Sequence, residues 1–211
     1  MTNGTPPGVR MRGRSAQSLF SGGYSLIELV FCVGLIVTLG TVTVPNVLIG
    51  LDDQRAAAAA RYMSVRLQRA RMEAVMRSRA VAVRFNHSAG GRYVFTVYVD
   101  GNRNGVTAYG IGHGVDRSIS PAESITDTFP GIEFGALPDL PPVEPGGTPP
   151  GDDPIRLGTS DAATFTPTGT STSGSVYVRG RTAQFVVTIF GETGKTRVLK
   201  FNSRTRQWKP L

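Results

Sequence analysis

From Tyr24 to Val44 the chain runs for 21 residues with one charged side chain, Glu28. As a helix rising about 1.5 Å per residue, that run reaches roughly 30 Å, the thickness of a bilayer's hydrocarbon core. A segment that is apolar on every side must be covered all round, by lipid or by protein. The rest of the chain narrows the choice. Of its 211 residues 40% are hydrophobic and 18% charged, the make-up of one folded domain with an appendage, and neither a polytopic membrane protein nor a disordered tail. The run therefore reads as a single crossing. Arg10, Arg12 and Arg14 precede it, so the positive-inside rule keeps the N-terminus cytoplasmic and exports everything after Pro45, in a bacterium to the periplasmic side of the inner membrane.

Three explanations compete for this segment. A Sec signal peptide has an apolar stretch of about 7–15 residues followed by a small-x-small cleavage site; the run is longer, and no such site follows. A plain anchor fits the length but leaves Glu28 unexplained, because an ionised carboxylate in hydrocarbon costs several kcal/mol and is usually functional. The third explanation is a cut between Gly23 and Tyr24 on the cytoplasmic face. It creates an α-amino group, largely cationic at a reference pKa of about 7.7–8.0, four residues or roughly 6 Å along a helix from Glu28. When such helices bundle, Glu28 of one subunit neutralises the terminal amine of its neighbour. Desolvation cancels much of the Coulombic gain, so the pair sets register more than it adds stability.

The string GYSLIEL, after a basic leader and before an apolar helix with Pro45 near its end, resembles the class III signal of type IV pilins and type II secretion pseudopilins. The resemblance implies cleavage by a prepilin peptidase after Gly23, N-methylation of Tyr24, an assembly role for Glu28 and a helix kink at Pro45, where proline removes a hydrogen bond and clashes with the preceding turn. It further implies other pilin or pseudopilin subunits as partners, and incorporation into a fibre. Tyr24 departs from the commoner phenylalanine but stays aromatic. The leader, residues 1–23, is long; translation from Met11 in place of Met1 would shorten it.

Beyond the crossing, residues 46–80 are rich in alanine, leucine, methionine and arginine, and the helix is expected to continue as an amphipathic segment. Arg55, Arg66, Arg69, Glu73 and Arg77 share a face, with Glu73 four residues from both Arg69 and Arg77. Apolar stripes flank it: Met63, Leu67, Ala70 and Ala74 on one side, Val65, Met72 and Met76 on the other. Two stripes suit a helix that touches its own sheet and neighbouring subunits, or one buried on a wide face. After Ala80 the period becomes alternating, in VAVRF (81–85), RYVFTVYVD (92–100), SVYVRG, AQFVVTIF and TRVLKF. The expected class is α+β: a long N-terminal helix, transmembrane over 24–45 and amphipathic over 46–80, packed on a small antiparallel sheet in a β-rich periplasmic domain, 81–211. RARMEAVMRS before VAVRF, then DGNRNG, FTPTG and C-terminal hairpins, is similar to the globular region of the GspH/FimT branch, that is, minor pseudopilin H and the FimT minor pilins. Between the strand groups, residues 135–154 hold seven prolines and four glycines and read as a long exposed loop, a surface for a partner or a tolerated insertion.

Charge and short motifs offer fewer leads. The net charge of +8 is uneven: residues 100–161 hold ten acids against three bases, while 176–211 hold eight bases against Glu192. Lys195 and Arg197, with Arg179 and Arg181, make a basic C-terminal region that either grips DNA by its phosphates or is a solvated or subunit-facing patch. GKTR (194–197) is similar to the Gly-Arg-x-Arg motif of DNA-uptake FimT proteins, with lysine replacing the first arginine and its bidentate fork. The resulting function is a structural subunit in fibre initiation and protein secretion, with DNA uptake as the alternative, and DNA or a secreted substrate as the tip partner. GETGKT (191–196) lacks the first glycine of a phosphate loop, where Ile189 stands, and reads as a hairpin turn. DGNRNG (100–105) begins like a calcium loop but has Ile111 in place of the bidentate glutamate, so a turn explains it as well. His87 and His113 are isolated, so zinc and a catalytic triad lack support, and no enzyme activity, cofactor or metal is expected. Cys32 is the one cysteine, which excludes an intrachain disulfide.

Overall fold

A computed structural model describes Met1 and residues 23–211, with the backbone alone at 42–46. Residues 2–22 of the leader and the side chain of Pro45, where the kink is expected, lie outside the described residues. The first helix, α1, is Leu26–Arg77. The chain divides into two compact units, Met1–Val44 and Pro45–Leu211, and each is taken by itself.

In the first unit every large apolar side chain from Leu26 to Leu39 is exposed, from 51% at Leu35 to 83% at Leu26. The hydroxyls of Thr38 and Thr41 donate to the carbonyls of Leu35 and Thr38 at 2.9 and 2.8 Å, so these polar atoms are satisfied within the helix and ask nothing of their surroundings. Among the described residues no helix is long and apolar enough to cross a membrane. The end of the expected crossing falls on 42–46, whose side chains are outside that description.

The second unit is an α+β domain. Ala56, Ala59, Ala60, Met63, Leu67, Ala70 and Ala74 recur at helical spacing and are 0–2% exposed. The five alanines among them bring the helix backbone close to the sheets. Two antiparallel sheets cover this stripe, where one had been expected. The first joins β1 (Val81–His87), β2 (Tyr93–Val99), β3 (Arg117–Ser118) and β6 (Ala162–Phe165) in the order β3-β2-β1-β6. The second runs β10 (Gln207–Pro210), β9 (Lys195–Asn202), β8 (Gln184–Phe190), β7 (Gly174–Arg179) and β4 (Glu133–Phe134), with β5 (Ile155–Arg156) also on β7. Short helices α2 (Ala108–Gly112) and α3 (Ile125–Thr128) sit in the connections. Val81, Val83 and Phe85 of β1 and Phe185, Val187 and Ile189 of β8 share the core with the helix stripe.

The loop 135–154 is not the freely exposed segment its composition suggests. Proline and glycine bar it from regular structure, but Leu137, Leu140 and Val143 recur every third residue and pack on Tyr177, Val186, Leu199, Phe201 and Trp208, the outer face of the second sheet. Leu140 is 4% exposed. Trp208 Nε1 donates to Pro141 O at 3.1 Å, and Arg206 Nη2 to Asp139 O at 2.6 Å. Pro138, Asp139, 144–149 and 151–153 stay exposed. Burial on this second side pushes the Tyr177 hydroxyl up to about 12, against the opposing charge of Arg156. It also explains why β8 is buried on both faces.

Candidate assembly and binding surfaces

The sequence-derived processing and assembly residues lie together at the start of the first unit. Gly23 and Tyr24 precede α1, Tyr24 is 83% exposed, and Glu28 lies in the first helical turn. Glu28 is exposed amid exposed apolar neighbours, an acid with no counter-charge among the described residues of its own unit.

Further along α1, two adjacent aspartates not singled out in the sequence tie the helix to the second sheet. The Asp52 carboxylate accepts from the backbone N–H groups of Arg181 (3.0 Å), Thr182 (3.0 Å) and Ala183 (3.3 Å), and from the Thr182 hydroxyl. Burial raises its pKa, but these bonds outweigh burial and hold the carboxyl below its ordinary range. A Cβ on Gly180 would meet that carboxylate, so only glycine fits the approach. Asp53 pairs with Lys200 at 2.6 Å. Their sequence signal is modest: two adjacent acids ahead of an arginine-rich stretch of helix, matched by a basic, glycine-containing strand end.

The four basic residues grouped from sequence do not form one patch. Lys195 and Arg197 are exposed on β9, and the Arg197 guanidinium lies over the Phe190 ring at 5.2 Å. Arg179 pairs with Glu133 at 2.6 Å. Arg179 aligns with Gln184 and Lys195 with Phe190, six residues apart on β8 or roughly 20 Å. Arg181 sits in the turn capped by Asp52.

GETGKT is the β8–β9 turn, as expected. Gly194 has φ 61°, and Phe190 O accepts from its N–H at 2.7 Å. The turn docks on α1, where Gln68 Nε2 donates to Gly194 O at 3.1 Å. DGNRNG is likewise a turn. Asp100, 2% exposed, accepts from the N–H groups of Asn102, Arg103 and Gly105 at 2.8–3.0 Å, which fixes the turn. His87 stacks near Tyr93 and His113 on Tyr109. Among the described residues, no group of three His, Cys, Asp or Glu side chains is placed to hold a metal.

The other stripe of α1 remains open. Val65, Met72 and Met76 are 63%, 55% and 67% exposed, against 0% for Met63 and Leu67 on the buried side. An apolar N-terminal helix, uncovered along its length, leads into a helix with one face in a two-sheet head and another bare. The chain belongs to the GspH family: the family model for type II transport protein GspH matches residues 59–194, more than half its length. No curated protein and no solved structure matches it. The match opens inside the buried alanine stripe and closes at the β8–β9 turn. Membership makes the chain a structural pseudopilin of type II secretion, working with other pseudopilus components.

Proposed function

We propose that this chain is a minor pseudopilin, inserted once through the bacterial inner membrane with its head in the periplasm, and acting in fibre initiation near the tip of a pseudopilus. Prepilin peptidase cuts between Gly23 and Tyr24, Tyr24 is N-methylated, and Glu28 pairs with the terminal amine of an adjoining subunit. The observation that carries this reading is the apolar segment Leu26–Leu39, exposed throughout and holding one carboxylate. In a lipid or helix-bundle interior that carboxylate requires a cation, and the new N-terminus supplies one at the same depth. The exposed stripe Val65, Met72 and Met76 supports subunit contact beyond the membrane.

The test is exchange of Glu28 for Gln in cells, scoring recovery of the chain in sheared or cross-linked fibres and mass spectrometry of its N-terminus. Normal processing with loss of fibre incorporation is expected. Full incorporation of Glu28→Gln, or a mature N-terminus other than Tyr24, would refute the reading. DNA binding by a FimT-like minor pilin keeps one supporting observation, the exposed neighbours Lys195 and Arg197. Its test is duplex DNA titrated onto the protein at two salt concentrations: a salt-sensitive complex lost on Lys195→Ala with Arg197→Ala favours it, and no complex removes it.

A further inference from the structure

A groove runs between the C-terminal half of α1 and the 115–121 edge of the first sheet. It comprises two adjoining cavities of about 380 Å³ and about 550 Å³ that share Arg77. Five arginines line it: Arg66, Arg69 and Arg77 from the helix, Arg79 just after it, and Arg117 from β3. Val97 and Val99 of β2 lie between the two walls.

These arginines are not equally engaged. The Arg66 guanidinium pairs with Glu123, whose other oxygen accepts from the Tyr62 hydroxyl at 2.7 Å. Arg66 Nε is buried with no acceptor among the described residues. Arg77 Nε bonds Glu73 at 2.7 Å. Arg79 Nη1 donates to the carbonyls of Asp100 and Gly101 at 3.1 and 2.7 Å, which holds that guanidinium in place while its remaining N–H groups are uncommitted. Arg69 and Arg117 are exposed, and neither side chain has a partner among the described residues. Asp100 lines the lower cavity, but its oxygens are occupied by backbone N–H groups. Guanidinium N–H groups of Arg69 and Arg117, and the remaining ones of Arg79, are thus without partners among the described residues.

We propose that this groove is a docking site for an acidic segment of a partner protein, whose carboxylates are taken by Arg69 and Arg117, with Arg79 behind them. Guanidinium forks match carboxylates in paired hydrogen bonds, and part of the ordering cost is already met at Arg79. The surroundings select protein over nucleic acid. Val65, Met72 and Met76 form an exposed apolar ridge next to Arg69 on the helix, and Val115 and Ile119 are 38% and 37% exposed on the opposite wall. A peptide can bury apolar side chains there, whereas a phosphodiester chain cannot. Glu73 and Glu123 also stand between the arginines, so a continuous run of phosphates would meet two like charges, while spaced carboxylates pass between them. The site is independent of Glu28 and of processing, and it can stand or fall without the assembly reading.

The experiment uses the full chain in detergent micelles and a fluorescent peptide of about ten residues alternating leucine and glutamate, its leucine–glutamine counterpart, and a short DNA duplex, read by anisotropy at low and high salt. Saturable binding of the glutamate peptide is expected, weaker by about tenfold or more for the glutamine peptide and for Arg69→Glu with Arg117→Glu. Arg204→Glu, a charge reversal in the β9–β10 turn, should leave affinity within about twofold. Both groove arginines are exposed, so unchanged thermal melting verifies that the double variant is folded. Equal binding of both peptides, no response to the groove variant, or DNA bound more tightly than the acidic peptide through the same two arginines would overturn the proposal.

Discussion

The two parts of α1 carry apolar side chains in comparable density and dispose of them in opposite ways. From Leu26 to Leu39 they point in every direction and are 51–83% exposed; from Ala56 to Ala74 one stripe is 0–2% exposed, while Val65 and Met72 on another are 63% and 55% exposed. A helix in the second pattern is stabilised by its own chain. A helix in the first pattern gains nothing from its own domain and must be covered from outside, by lipid or by other subunits. Within one element, then, the buried downstream stripe serves folding of the second unit, and changes there and in the exposed upstream part should be separable.

The largest contrast is expected from paired truncations. Leu67→Ala removes a fully buried side chain from the head core and should cost about 2–5 kcal/mol, read as a lowered denaturation midpoint of the head. Leu35→Ala, 51% exposed, should leave that midpoint unchanged and weaken only membrane partitioning. If both shift the midpoint alike, the division of labour is wrong. Next comes Gln184, 1% exposed, whose Nε2 donates to the carbonyls of Gly135, Val178 and Phe185 and whose Oε1 accepts from Leu137 N–H at 2.8 Å. Gln184→Leu strands those backbone groups and should cost about 1–3 kcal/mol, with faster proteolysis within 136–150 as the specific sign that the loop has lifted.

Asp52 provides a smaller and pH-dependent test. Its folded pKa lies below the unfolded value, so the unfolded chain binds more protons in acid, and the stabilisation is present above about pH 4 and fades as pH falls through the folded pKa. Asp52→Asn should lower stability by about 1 kcal/mol at neutral pH and flatten the acid limb of the stability curve. An unaltered limb would show that the aspartate does not hold the β7–β8 turn. The smallest effect on folding belongs to the open stripe. Met72→Ser and Met76→Ser should move head stability by less than about 0.5 kcal/mol, yet reduce cross-linking to neighbouring subunits, which distinguishes a contact surface from a merely tolerated one.

Much of this organisation is written locally. The spacing of Met63, Leu67, Ala70 and Ala74 marks the inward face of α1, and the alternation in VAVRF and YVFTVYV marks β1 and β2, because helix and strand periods depend only on nearby residues. The turn at Gly194 was legible for the same reason. Other features depend on partners distant in the chain. Nothing near Asp52 indicates that it caps a turn 130 residues later, and nothing near Gln184 shows the loop carbonyl and N–H groups it satisfies. The near-continuous apolar run of β8 was the one available hint that both sheet faces are covered, since a strand open to water on one side alternates more cleanly. The docking of part of the loop 135–154 is not legible locally, because proline and glycine content reports on backbone geometry, whereas docking depends on Leu137, Leu140 and Val143 finding an apolar face.

By itself, the sequence determined the segment that cannot be covered by its own domain, the lone acid within it, the change from helical to alternating period and the turn positions. All of these follow from chain-local sterics, hydrophobic spacing and charge. The tertiary structure alone decided that two sheets enclose the helix stripe, that the proline-rich loop lies on the second sheet, that Arg179 is separated from Lys195, and that arginines from helix and edge strand face one groove. Those outcomes rest on which surfaces meet across long separations, and no local pattern encodes that.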